Sequence, residues 1–384
     1  VRVPAVVIDE ADGSVWEVTR AWPDKDGAGG VDGVTFEARS SATPHVRGGQ
    51  WDAPSGATLH PVGVDDRLPA LGALAGDGTV LVHRPGRRAV VRSADGERFT
   101  KVLRPGKAKR VAGSAVAAAT FGTSFAVPRQ VGMTSDTVTV ASVAGQSLFD
   151  LGRGGSRAVN ARAVGPGAVD ADAVSAGADH TGANDTGIVA AAWNDWRHAW
   201  VTAVTTPLDP STRRELPRRD AESELVSVRE WTARIAGAFP AERTTLSEVV
   251  DSLEGWMQQQ RSTATQPVLA HADLHDKQVL WDARAGAAMI DFDTVCTAEA
   301  ALDLGNLRAH VALRVRQGHL TEERLAIARA AIDGTASALG VDPERVRIFE
   351  RATMVRLGCL YAYRPRWAAL AAQLRAEALA HPRP

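Results

Sequence analysis

The chain is poor in cysteine and in net charge, and each shortage closes off a class of function. Two cysteines in 384 residues, Cys296 and Cys359, cannot build a disulfide framework. No histidines are spaced with them as in a zinc site, so a reducing compartment is expected. The 44 lysines and arginines nearly cancel the 45 aspartates and glutamates. With no long-range field to draw a polyanion, neither nucleic acid nor an anionic membrane surface is an expected partner. No apolar run approaches the roughly 20 residues of a membrane-spanning helix. The opening VRVPAVVIDEADG turns acidic before a signal-peptide pattern develops. A soluble, cytoplasmic protein is the expectation.

Composition divides the chain into stretches of different texture. Up to residue 76, short β-type runs (AVVI, SVWEVTRAW, GVTFEA) alternate with turns such as Asp12-Gly13 and Asp32-Gly33, which predicts a β-rich cap of antiparallel hairpins. The strand-like runs TVLVHR, RAVVRS and RFTKVL follow, then the Ala-rich helical stretch KAKRVAGSAVAAAT and two more strands, QVGM and DTVTVASV. Residues 77–145 therefore read as a small lobe with a five-stranded sheet and one helix. From 146 to 384 the chain is mainly helical, after a Gly/Ala-rich stretch over 152–187 that reads as a loop or insertion. Trp193, Trp196 and Trp200 recur at i, i+3 and i+7, the spacing of a buried helix face rather than of a sugar-stacking platform.

The chemistry concentrates in PVLAHADLHDKQVLWDARAGAAMIDFD, which reads as strand, polar loop and hairpin. The loop gathers His271, Asp273, His275, Asp276 and Gln278, and Asp291 follows 13 residues after Gln278, beyond an apolar strand. Phosphoryl transfer needs such a polar rim, because its catalysis is mostly positioning and charge neutralisation. One carboxylate must orient the attacking hydroxyl and accept its proton, and Asp273 suits that role. A second carboxylate and a neutral amide oxygen suit Mg²⁺, as Asp291 and Gln278 do. His271 and His275, four apart, also fit a pair of zinc ligands, but the chain continues as strand and offers no third.

HADLHDKQVL followed by IDFD resembles the aminoglycoside phosphotransferase family, whose pattern is H-x-D-x-x-x-x-N, a hairpin, then I-D-F/W. Gln278 stands where that pattern has Asn, as in maltokinase and actinobacterial glucosamine kinase relatives. The resemblance implies an α+β, bilobal, protein-kinase-like fold with ATP and Mg²⁺ as cofactors. It makes Asp273 the catalytic base and Gln278 and Asp291 the metal ligands, with His271 and Asp303 supporting the loop. It sets adenine against the hinge at 142–146, and the cap against the small lobe, as in maltokinase-like enzymes.

In the small lobe, Lys101 on the third strand occupies the place of the lysine that holds the α- and β-phosphates. Arg84 and Arg88 flank the turn RPGRR, where cations favour phosphate; Lys107, Lys109 and Arg110 are further candidates. The lysine's usual partner, a helix glutamate, is missing: from Val102 to Leu148 there is no Glu and one acid, Asp136. For the acceptor, His275, Glu299, His310, Arg314, Tyr361, Arg364 and Trp367 are the candidate contacts. Arg316 and Arg366 are near neighbours, and Glu222, Glu224 and Asp303 would serve an ammonium-bearing acceptor. The reading is an ATP-dependent phosphotransferase acting on a sugar or amino sugar, glucosamine-like or aminoglycoside-like. A Ser/Thr kinase acting on a peptide in natural-product biosynthesis, and a degenerate kinase that binds a nucleotide or a partner, are the alternatives.

Overall fold

The computed structural model describes residues 3–23, 33–52, 55–112, 114–153 and 182–380. Five strands open the chain: β1 (Val6–Ile8), β2 (Val15–Pro23), β3 (Gly33–Arg39), β4 (Val46–Asp52) and β5 (Gly56–Leu59). They pair in sequence order, all antiparallel. The short helix α1 (Leu71–Gly76) leads into β6 (Gly78–Arg84), β7 (Arg88–Ser93) and β8 (Arg98–Leu103). The helices α2 (Ala108–Ala112) and α3 (Ser114–Phe121) precede β9 (Gln130–Met133) and β10 (Thr137–Ala141). The second sheet runs β6-β7-β8-β10-β9, so β8, which carries Lys101, is its central strand.

The strand β11 (Gln146–Ser147) and helix α4 (Leu148–Gly152) begin the large lobe, and α5 (Gly182–Thr205), α6 (Pro210–Glu215), α7 (Ala221–Ala238) and α8 (Arg243–Gln259) continue it. Most of the loop expected over 152–187 lies outside the described residues. Four short strands follow, β12 (Val268–Ala270), β13 (Val279–Asp282), β14 (Gly286–Met289) and β15 (Cys296–Ala298). The helices α9 (Ala300–Arg316), α10 (Glu322–Ala338), α11 (Pro343–Leu360) and α12 (Ala368–Ala380) close the chain. Among the described residues no helix is long and apolar enough to cross a membrane.

The tryptophan stripe of α5 is fully interior, with Trp196 and Trp200 stacked at 6.1 Å and Phe121 of α3 lying 5.6 Å from Trp200. Burying a large apolar side chain stabilises by about 1.5–3 kcal/mol, so this stripe anchors α3 to the large lobe. At the hinge, Gly145 adopts φ +120°, and a Cβ there would lie 2.8 Å from the backbone of Trp281. Only glycine allows β11 to pair with β13 so closely.

The cap does more than rest on the small lobe. Its inner face, Trp16, Val18, Val34 and Phe36, packs in one cluster with Ile235 of α7, Leu246 of α8 and Tyr363. Side chains of its central strand β3 hydrogen-bond to β6, where Glu37 accepts the N–H of His83 at 2.9 Å and Arg39 Nη2 donates to the carbonyl of Leu81 at 3.0 Å. Both lobes are therefore fastened to the cap.

Candidate active site

The loop between β12 and β13 is held by side chains that bond to its backbone N–H and C=O groups. Asp303, in the first turn of α9, accepts the N–H of His271 at 2.7 Å and that of Ala272 at 2.8 Å. Asn306, one turn on, donates to the carbonyl of Leu274 at 2.7 Å, and Arg219 donates to that of Ala272 at 3.3 Å. His271 is wholly buried, its Nε2 3.0 Å from the carbonyl of Ile290, which ties the loop to the hairpin. Burial without a cation in contact pushes the Asp303 carboxyl up to about 6, although His271 and the two N–H groups pull the other way.

Two non-glycine residues among those described adopt a left-handed backbone, Ala272 at φ 61° and Asp291 at φ 62°. They flank this one site. Such conformations cost about 1–2 kcal/mol each and persist only where surrounding structure imposes them. At Ala272 the bend follows from the Asp303 contacts, and it presents Asp273, partly exposed, at the rim.

Gln278 Nε2 reaches Asp273 Oδ2 at 3.5 Å, while Gln278 Oε1 is buried with no hydrogen-bond partner. An orphaned amide oxygen beside carboxylates is the donor a hard cation takes. Asp291 is 9 % exposed, and Lys101 Nζ lies 2.7 Å from its Oδ1. Burial raises its pKa, but the charges of Lys101 and Arg88, with the Lys101 hydrogen bond, outweigh that and hold the carboxyl below its usual range. The oxygens of Gln278 and Asp291 thus fit magnesium by charge and type.

Lys101, 3 % exposed, also lies 2.6 Å from Asp293 Oδ1, and Arg88 approaches the same carboxylate at 3.9 Å. Asp293 was not singled out from the sequence, although its D-x-D spacing from Asp291 is the signal that marks it. A pocket lined by Lys101, Ala118, Val138, Val140 and Phe292 opens between the sheet and these carboxylates. Arg84 pairs with Arg88 across the turn but lies over the ring of Trp22, at 5.0 Å. It lines a separate cleft of about 970 Å³ with Arg67, Arg87, Trp231 and Arg234. Burial first, then Arg88, Arg87, Arg20 and Arg234, push the Arg84 guanidinium down to about 10. The side chains of Lys107 and Lys109 are exposed, and that of Arg110 lies outside the description.

The expected acceptor contacts need correction. Glu299 is buried and held bidentately by Arg345 at 2.6 and 2.7 Å. Arg314 grips Asp276 in the same way at 2.9 and 3.0 Å, both nearly inaccessible. Tyr361, 2 % exposed, belongs to an apolar cluster with Leu313, Leu357 and Leu374. These three serve packing because each found a distant complementary partner. Arg364 stacks on Tyr361 at 3.8 Å, and Trp367 meets His319 edge-on at 5.7 Å. His319 in turn meets Phe149, whose ring lies under Lys277 of the loop at 4.2 Å, so a ladder of side chains joins Trp367 to the loop. His275 and His310 remain beside the loop, their rings 4.9 Å apart. Glu224 is paired with Arg219 and Arg356, while Glu222 is exposed and paired with Arg229.

Comparison with known proteins agrees with this arrangement. Residues 195–349 match the model of the phosphotransferase enzyme family. No curated protein matches the chain in sequence. Among solved structures, the chain is similar to aminoglycoside phosphotransferase APH(2")-IIia, solved with GDP and kanamycin, at TM-score 0.51 and 13% identity, over 78% of this chain and 92% of that one. It is also similar to APH(3'')-Id from Streptomyces rimosus (TM-score 0.49, 20% identity, 77% and 99% covered). A glucosamine kinase solved with glucosamine, ADP and inorganic phosphate aligns with all of this chain and 96% of its own, at TM-score 0.44 and 16% identity. The chain thus has the kinase-like fold of the aminoglycoside phosphotransferases, and its residues 195–349, which include the loop between β12 and β13, match the model of the phosphotransferase enzyme family.

Proposed function

We propose that this protein transfers the γ-phosphate of ATP to a hydroxyl group of a sugar or amino sugar. The observations that support the reading are two contacts, Gln278 Nε2 to Asp273 Oδ2 at 3.5 Å and Lys101 Nζ to Asp291 Oδ1 at 2.7 Å, on neighbouring strand ends joined by the hydrogen bond from the N–H of Ile290 to the carbonyl of Gln278. The acceptor hydroxyl is oriented by Asp273; as its oxygen bonds to the γ-phosphorus, the bond to the β-phosphate oxygen breaks, ADP leaves and the proton passes to Asp273. Lys101 neutralises the phosphates, with Arg88 at the mouth. Gln278 and Asp291 would hold magnesium, which when bound neutralises charge on the phosphates. ATP as donor implies a cytoplasmic enzyme.

Among the described residues, the carboxylates near the loop favour an acceptor of low positive charge. Asp276, Glu224 and Glu299 are each engaged by arginine, and Asp303 by backbone N–H groups. A polycation such as kanamycin needs carboxylates that are free to meet it, whereas a neutral or singly charged sugar is met by hydrogen-bonding side chains, such as His275 and His310. The filled lysine, base and metal positions argue against a degenerate kinase.

The test is MgATP consumption against plain sugars, monoamino sugars, aminoglycosides and Ser/Thr peptides. Turnover with a plain or monoamino sugar, and little with kanamycin, is expected. Turnover confined to peptides, or none with any acceptor despite ATP binding, overturns the reading.

A further inference from the structure

The helices of the small lobe carry no acid: α2 reads AKRVA and α3 reads SAVAAATF. A buried ammonium without a carboxylate is costly, and a phosphate-binding lysine without a fixed partner is poorly oriented. In this chain the second anion comes from the large lobe. Asp291, in its left-handed conformation, leads directly into the single turn Phe292–Thr294, which returns Asp293 to the same ammonium. That turn is packed against α3, with Phe121 and Phe292 at 5.6 Å, so it stands next to the position from which a helix carboxylate would reach. Asp293 Oδ1 is as close to Lys101 as Asp291 is, and its side chain is 23% exposed at the pocket mouth.

The two aspartates are not equivalent. Asp291 follows Ile290, whose N–H donates to the backbone carbonyl of Gln278 at 3.0 Å, and in the proposed function it is the carboxylate that would hold a cation; a cation there repels Lys101. Asp293 faces Lys101 and Arg88. We propose that Asp293 is the positioning residue of Lys101, standing in for the helix glutamate that this small lobe lacks and keeping the ammonium turned to the nucleotide phosphates. The inference deepens the proposed function and rests on it.

The test is a double-mutant cycle read as ADP affinity by calorimetry in EDTA, where magnesium makes no contribution. Asp293→Asn weakens ADP about 10-fold in the native background and less than about twofold when Lys101→Met is already present. Asp293→Glu restores most of the affinity. A loss of the same size in both backgrounds means that Asp293 acts independently of Lys101 and overturns the proposal, as does an unchanged affinity in Asp293→Asn. Far-UV circular dichroism and melting of each variant separate these outcomes from misfolding. Native protein that binds no ADP at all contradicts the proposed function itself.

Discussion

Asp303 receives the backbone N–H groups of His271 and Ala272 on its two carboxylate oxygens, and that contact shapes the loop on which Asp273 stands. Burial above all pushes its carboxyl from an aspartate's ordinary 3.8 up to about 6. Between these values the folded chain holds a proton that the unfolded chain has lost, so stability falls as pH rises from about 4 to 6 and then levels. The contribution is about 3 kcal/mol. Denaturant unfolding across that range should show the fall in the native protein and a flat response in Asp303→Asn, itself less stable throughout. An equal slope in both would assign the effect to another group.

Asp276 directly follows His275, and its pair with Arg314 is almost fully buried. Replacing Asp276 with Asn leaves Arg314 as an uncompensated interior cation, for a loss of about 3–5 kcal/mol. The double variant Asp276→Leu with Arg314→Met removes both charges and should recover much of that loss. Melting temperatures of the three proteins decide the matter; a double variant no better than Asp276→Asn would contradict it.

A buried polar chain links the cap to the turn between β6 and β7. His83 Nδ1 accepts the N–H of Gly48 at 3.0 Å, which leaves Nε2 to donate to Asp65 Oδ2 at 3.0 Å, and that oxygen also accepts the N–H of Gly86 at 2.7 Å. Asp65→Ala orphans both donors, at about 1–3 kcal/mol, and loosens the turn that bears Arg88. The expected result is a several-fold higher KM for ATP with a nearly unchanged KM for the acceptor. If both constants are unaltered, the cap does not govern the turn.

Much of this was legible because periodicity and turn chemistry are local. The strands TVLVHR, RAVVRS and RFTKVL, the hairpin after HADLHDKQ and the buried tryptophans of α5 all follow from neighbours in sequence. What was illegible depends on partners far along the chain. Glu299 finds Arg345 46 positions away and Asp276 finds Arg314 38 away, so charges that read as acceptor contacts turn out to be internal pairs. The cap's contact with α7 and α8 was hidden for the same reason. The missing helix glutamate was visible in the composition of 102–148, but its replacement, Asp293, is recognised only when Lys101 is seen across 192 residues of chain.

Single-turnover transfer of the γ-phosphate by Asp273→Asn, with ATP affinity measured alongside, tests the central claim most directly. If Asp273 orients the acceptor hydroxyl and takes its proton, the rate falls by about 10²–10⁴ while ATP binds within about twofold of the native protein. Transfer at the native rate in Asp273→Asn would contradict the account.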